Sequence, residues 1–219
     1  MPDVTFNGPA GRIEGKYYPA TKPNAPIALV MHPHPQHGGT MNNKVTYRMY
    51  EAFVKAGFAT LRFNFRGVGN SQGQWDEGVG ELSDAAAALD WLHNQNSHCQ
   101  SIWIAGFSFG SWITMQLLMR RPDVNRFIAV APPVGKYDFS FFSPCPTSGL
   151  FVTGTQDELF DYKDLKKFIQ KTPRQKGVKL HYSEIQDGDH FFTEQQDELA
   201  KVLSGYIKSS LTSSPSSAA

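Results

Sequence analysis

The chain is 219 residues long, 40% hydrophobic and 19% charged, proportions that suit one folded core rather than a disordered or fibrous polypeptide. Its formal net charge of +1 comes from 21 Lys and Arg against 20 Asp and Glu spread along the sequence, which leaves no basic stripe for nucleic acid and no polybasic membrane anchor. The two cysteines, Cys99 and Cys145, are far apart and form no C-x-x-C, which excludes a disulfide framework and a thiol-based metal or redox motif.

Met1-Pro2-Asp3-Val4-Thr5 lacks a charged n-region followed by an apolar h-region, and the longest apolar runs are strand-sized. The expected location is therefore cytoplasmic, without a membrane span. Val4–Asn7 and Arg12–Tyr18, joined by a Gly-Pro-Ala-Gly turn, predict a hairpin. Pro26–Met31 is unbroken apolar sequence, the pattern of a strand buried on both faces. Asn43–Ala56 has helical spacing and stops at Gly57. Phe58–Phe65 predicts a strand running into the turn-rich 66–73. Gly80–Gln95 predicts a helix with Ala85, Ala88, Leu89 and Leu92 on one stripe. Ser101–Ala105 predicts a strand, Phe109–Arg121 a helix closed by Pro122, and Phe127–Ala131 a strand. An aromatic loop then reaches about Ser148. Gly149–Thr153 and Val178–Ile185 predict strands, and Tyr162–Lys171 and Thr193–Ser209 predict helices. The Ser-rich end is low in complexity.

Strands alternating with helices predict an α/β architecture, a mostly parallel sheet of about eight strands with helices on both faces. The expected organisation is one domain over 1–208 and a disordered tail over 209–219. In such a sheet the chemistry sits on loops beyond the carboxyl ends of the strands.

Three of those loops carry candidates. Gly106-Phe107-Ser108-Phe109-Gly110 is G-x-S-x-G between a strand and a helix, the order that a nucleophile elbow requires. Asp157 follows the strand ending near Thr153, with Asp161 its nearest competitor. His190 follows the strand ending at Ile185, with Asp187 and Asp189 beside it. A neutral serine hydroxyl is a poor nucleophile and needs an imidazole to take its proton. A carboxylate must then hold that imidazole in the right tautomer. Ser108, Asp157 and His190 are the expected catalytic residues. An oxyanion needs backbone N–H donors. Phe109 is one expected donor, and the other should come from His32-Pro33-His34-Pro35-Gln36-His37-Gly38-Gly39. Prolines cannot donate, which puts His34 ahead of Gly38 and Gly39. The same loop approaches H-x-H-x-D-H, but Gln36 stands where a carboxylate ligand is needed. Neither metal nor cofactor is expected.

The elbow, the Asp and His placement, the His-Pro-His-Pro-x-x-Gly-Gly-Thr loop with Met41-Asn42-Asn43-Lys44, and Arg62-Phe63-Asn64-Phe65-Arg66-Gly67-Val68-Gly69-x-Ser71 together resemble the α/β-hydrolase superfamily. More narrowly, the chain is similar to the small bacterial hydrolases grouped near dienelactone hydrolase and carboxylesterases. The resemblance reaches to about residue 208. It departs from dienelactone hydrolase in carrying a serine rather than a cysteine at the elbow, which implies ordinary ester hydrolysis.

The interval 132–146 is too short for a large cap, so an open site is expected. Its wall candidates are Tyr137, Phe139, Phe141 and Phe142, with Phe107, Phe109, Phe160 and Phe191 near the chemistry in sequence; the loop aromatics could equally plug the loop onto the core. The expected activity is hydrolysis of small, short-chain or aryl carboxylic esters through an acyl-enzyme. The alternatives are a thioesterase or peptidase with the same triad, a metal-dependent hydrolase, and a non-catalytic ligand binder. The expected partner is a small-molecule ester, and a homodimer is one compatible assembly.

Overall fold

A computed structural model of the chain describes residues 2–212. Eight strands form one sheet in the order β1-β2-β4-β3-β5-β6-β7-β8. The hairpin pairs β1 (Asp3–Gly8) with β2 (Gly11–Tyr18), and β2 joins β4 (Ala59–Phe63) antiparallel. From β4 onward all pairing is parallel, through β3 (Ile27–Met31), β5 (Ile102–Phe107), β6 (Val124–Val130), β7 (Gly149–Gly154) and β8 (Leu180–Ile185).

Unbroken apolar strands need cover on both faces, and they have it. In β3, Ile27, Leu29 and Met31 point into one core and Ala28 and Val30 into the other. The first core is closed by α2 (Val79–Gln95), α3 (Phe109–Leu118) and α4 (Tyr162–Lys171). The second is closed by α1 (Lys44–Lys55) and α5 (Gln196–Thr212). The stripe Ala85, Ala88, Leu89 and Leu92 is fully buried on α2. Among the described residues no helix is long and apolar enough to cross a membrane.

Several boundaries differ from expectation for physical reasons. Helix α3 ends at Leu118, because Arg120 and Arg121 turn back to Leu117 and Leu118 before Pro122, and the residue before a proline resists the helical region. That frees β6 to start at Val124, with the Asn125 side chain accepting from the Ile102 N–H at 2.7 Å. The last helix starts at Gln196 because the Asp189 carboxylate captures both the N–H and the hydroxyl of Thr193 (2.7 and 2.6 Å). It runs to Thr212, so residues 209–212 are helix rather than tail. The remainder of the expected tail, 213–219, lies outside the described residues. Between β6 and β7 the described chain contains no helix.

Candidate active site

The serine turn is built from the end of β5. Ser108 stands at φ 53°, ψ −120°, a conformation costly for a residue with a side chain. The surroundings hold it there. Its N–H continues the β6 ladder to the Val130 carbonyl at 2.9 Å, and its carbonyl accepts from the Ser111 N–H and hydroxyl at 2.9 and 2.6 Å. A Cβ at Gly106 would overlap the Gly110 carbonyl and the Thr114 hydroxyl, and one at Gly110 would lie 2.5 Å from the His32 carbonyl. The two glycines therefore let β5, the first turn of α3 and the loop after β3 close on one another.

The Asp157 and His190 loops are stitched together in turn. Gln156 N–H donates to the Gly188 carbonyl, and the Asp187 N–H donates to the Thr155 hydroxyl, both at 2.9 Å. Asp157 Oδ1 accepts from the Leu159 and Phe160 N–H groups at 2.9 and 3.0 Å, which aims Oδ2 at His190 Nδ1, 2.8 Å away. On the other side of the ring, His190 Nε2 lies 3.0 Å from Ser108 Oγ. This pairing places the proton on Nδ1 and leaves Nε2 to accept from the serine hydroxyl. Both the His190 and the Asp157 side chains are withdrawn from solvent, at 2% and 1% exposure, which strengthens the pair. The competing carboxylates are engaged elsewhere. Asp161 caps α4 through the Lys163 N–H, Asp187 takes the Gln186 amide, and Asp189 holds Thr193. Glu158 accepts from the His190 N–H at 3.1 Å, a brace on the histidine loop that position in sequence did not suggest.

The loop after β3 crosses the N-terminus of α3, with the His34 ring 5.2 Å from that of Phe109. Among the described residues neither the His34 nor the Phe109 N–H has an intramolecular acceptor. A single 3-10 turn, Pro35–His37, follows His34, whose carbonyl accepts from the His37 and Gly39 N–H groups. The loop histidines do not converge on a common point. His32 is fully buried, accepting at Nε2 from the Phe65 N–H (3.1 Å) and donating from Nδ1 to the Pro33 carbonyl (2.6 Å). Burial pushes its pKa down to about 4. His34 stacks on His37 at 4.2 Å, and its Nδ1 accepts from the Gln36 N–H at 3.2 Å. Its pKa also falls to about 4, through burial first and then the nearby His37 and Lys136. Both rings are neutral near pH 7.

The segment Arg62–Ser71 frames this loop. Arg62 Nη1 donates to the Met41 carbonyl and Asn42 Oδ1, and Asn64 Oδ1 accepts from the Met41 N–H at 2.8 Å. Phe65 holds His32. Arg66 makes a bidentate, buried pair with Asp84 on α2 at 2.9 and 2.8 Å. Each of these polar groups fixes a backbone that bears on the site.

The wall candidates separate into two groups. Phe139 and Phe142 are buried and pack on Phe168, with Phe127 and Phe151 beneath Phe142, so they anchor the loop to the core and do not line a cleft. Phe141 stacks on Phe139 at 6.1 Å. Phe107 and Phe109 are also buried, and each supports a site ring from below rather than facing solvent. Phe160 and the exposed Phe191 meet the His190 ring edge-on at 5.2 and 5.1 Å. On the opposite side, Tyr137 packs on Trp112 at 4.6 Å, and Trp75 packs on His34 and Phe109 at 4.6 and 5.2 Å. Trp75 and Trp112 escaped the sequence reading. Trp112 lies two positions past Gly110 in the first turn of α3, and Trp75 lies in an irregular turn without periodicity.

An eight-stranded, mostly parallel sheet with a strained strand-to-helix turn and, among the described residues, no helix between β6 and β7 defines an α/β hydrolase without a large cap. The chain matches the X-Pro dipeptidyl-peptidase (S15) family over residues 16–209 and belongs to it. An uncharacterized Rickettsia prowazekii protein, RP471, is 52% identical over 211 residues, covering 94% of this chain and 89% of its own. The crystal structure of ATU1826 from Agrobacterium tumefaciens superposes with a TM-score of 0.93 at 49% identity, covering 96% of this chain and 97% of that one. XC6422 from Xanthomonas campestris, described as an α/β serine hydrolase without a lid, gives 0.87 at 29% identity, covering 98% and 96%.

Proposed function

We propose that the protein is a serine carboxylesterase that cleaves small, short-chain or aryl esters through an acyl-enzyme. The observation that carries this is the continuous chain of contacts from Ser108 Oγ to His190 Nε2 at 3.0 Å and from His190 Nδ1 to Asp157 at 2.8 Å, set at the top of a strained strand-to-helix turn. Ser108 attacks the ester carbonyl while His190 takes its proton. His190 then protonates the departing alcohol, and Asp157 stabilises the imidazolium. The N–H groups of Phe109 and His34 receive the developing oxyanion, each contributing roughly 3–4 kcal/mol at the transition state. Water activated by His190 completes the cycle, so the residues present supply every proton transfer.

Small substrates fit the surroundings. Without a lid, little apolar surface is available to a long chain, whereas Trp75, Trp112 and Tyr137 offer flat faces to an aryl or short acyl group. The test is fluorophosphonate labelling with peptide mapping, followed by an ester panel of graded acyl length. Labelling of Ser108 and a short-chain optimum are expected. Labelling elsewhere, or a long-chain optimum, overturns the proposal. The family's name favours a second reading, a peptidase acting after proline. An X-Pro nitroanilide in the same panel decides between them, since turnover of that amide above the esters would reassign the substrate.

A further inference from the structure

We infer that the groove between the start of α1 and the histidine loop is a subsite for an anionic group, carboxylate or phosphate, on the alcohol side of the substrate. It rests on the esterase reading for its orientation but not for its ability to bind.

Two adjoining cavities share Asn42 and Lys44. One, of about 390 Å³, reaches Phe191 and Thr193, and the other, of about 410 Å³, reaches Tyr47 and Arg48. Phe191 connects them to the chemistry, because its ring is 5.1 Å from that of His190. His190 is the group that protonates the leaving alcohol, so a cavity bordered by Phe191 receives the leaving group. The wall of Trp75, Trp112 and Tyr137 lies over α2 and α3, on the other face of the sheet, and takes the acyl group.

The groove is lined by two cations and by no carboxylate. Lys44 is exposed and has no carboxylate partner among the described residues. Arg48 is a second cation, partly offset by Glu51 at 3.2 Å and Asp197 at 3.6 Å. The Asn42 carbonyl oxygen is taken by Arg62 at 2.7 Å, which leaves its amide N–H groups to donate. The helix terminus contributes little, because the Asn43 side chain already accepts from the Val45 and Thr46 N–H groups. Asp189 accepts from the N–H and hydroxyl of Thr193 and leaves one carboxylate at the Thr193 rim of the groove. A cation and an amide therefore sit one aromatic ring away from the proposed general base, facing a groove whose own lining holds no carboxylate.

The experiment compares para-acetoxybenzoate, whose leaving group carries a carboxylate, with its neutral methyl ester. In parallel, calorimetry measures binding of para-hydroxybenzoate and methyl para-hydroxybenzoate to the unmodified enzyme. The expected preference for the anion is about fivefold in both assays, the size of an exposed ion pair, and it shrinks in high salt. Lys44→Ala should abolish that ratio, Lys44→Glu should invert it, and Lys44→Arg should restore it. Equal handling of the two esters and the two phenols by the wild type overturns the subsite. Retention of the anion preference in Lys44→Glu overturns it as well. If neither ester turns over, the esterase reading falls, while the binding ratios still decide the groove.

Discussion

His32 ties the stability of the fold to the loop that carries His34. Its Nε2 accepts from Phe65 N–H at 3.1 Å, a bond that an imidazolium cannot accept, and its ring is fully buried. Burial lowers its pKa from 6.5 to about 4. In the unfolded chain the ring takes a proton as pH falls below about 6.5, whereas in the folded chain it resists until about 4. Between those values the unfolded state binds more protons, so the contribution is fully present above about pH 6.5 and drains away as pH falls toward 4. A shift of about 2.5 units corresponds to about 3 kcal/mol, or roughly 6–12 °C in Tm for a chain of this size. The perturbation is His32→Gln, which keeps a hydrogen-bonding group but cannot titrate in this range. Urea unfolding of wild type and variant at matched pH values from about 7 to about 4 isolates the contribution as the difference between the two curves. The variant should start less stable and lose about 3 kcal/mol less on acidification. Parallel curves for the two proteins would refute the assignment of a buried neutral His32.

Removing the side chain at the strained turn separates stability from activity, so Ser108→Gly should abolish esterase turnover and raise ΔG of unfolding by about 1 kcal/mol, read by denaturant melts. Gly106→Ala inserts a methyl into the Gly110 carbonyl and Thr114 hydroxyl and should prevent soluble expression or lower Tm by more than about 10 °C. Arg66→Met leaves Asp84 charged and buried without its partner and should cost about 3–5 kcal/mol. Asp157→Asn should lower kcat by about 10⁴ through the wrong histidine tautomer while leaving Tm within a few degrees, checked by stopped assays beside calorimetry.

What could be read from the chain follows from the range of the forces involved. β3 was legible as an unbroken apolar run buried on both faces and the α2 stripe because its burial repeats with the helical period, and both signals are written locally. The serine turn was legible because Gly106 and Gly110 mark a backbone approach within five residues. Position after a strand favours Asp157 over Asp161, whereas the orientation of its carboxylate toward His190 comes from the Leu159 and Phe160 N–H groups, which position alone does not reveal. The wall residues were harder. Phe139 and Phe142 have the same composition signal as Tyr137, and only the space left between α4 and the sheet decides which aromatic goes inward.

The segment Arg62-Phe63-Asn64-Phe65-Arg66 shows the same limit from the polar side. As sequence it reads as a strand end carrying two arginines and an asparagine, and its resemblance to other hydrolases gives those residues no chemistry. In the fold, Arg62 and Asn64 grip the two sides of Met41, the Phe65 N–H holds His32, and Arg66 binds Asp84. Three of these contacts cross more than 20 positions in sequence and end on the loop that carries His34 or on the residues just before α1. A polar group buried at a parallel strand end must find a partner, and here three of the partners are the Met41 N–H, the Met41 carbonyl and the His32 ring, all on the proline-containing segment between β3 and α1. The rigidity that the proposed oxyanion donor His34 requires is thus supplied by a neighbouring strand end. Preorganisation at His34 and the stability of β4 are then one property, and substitutions at Arg62 or Asn64 should disturb both together.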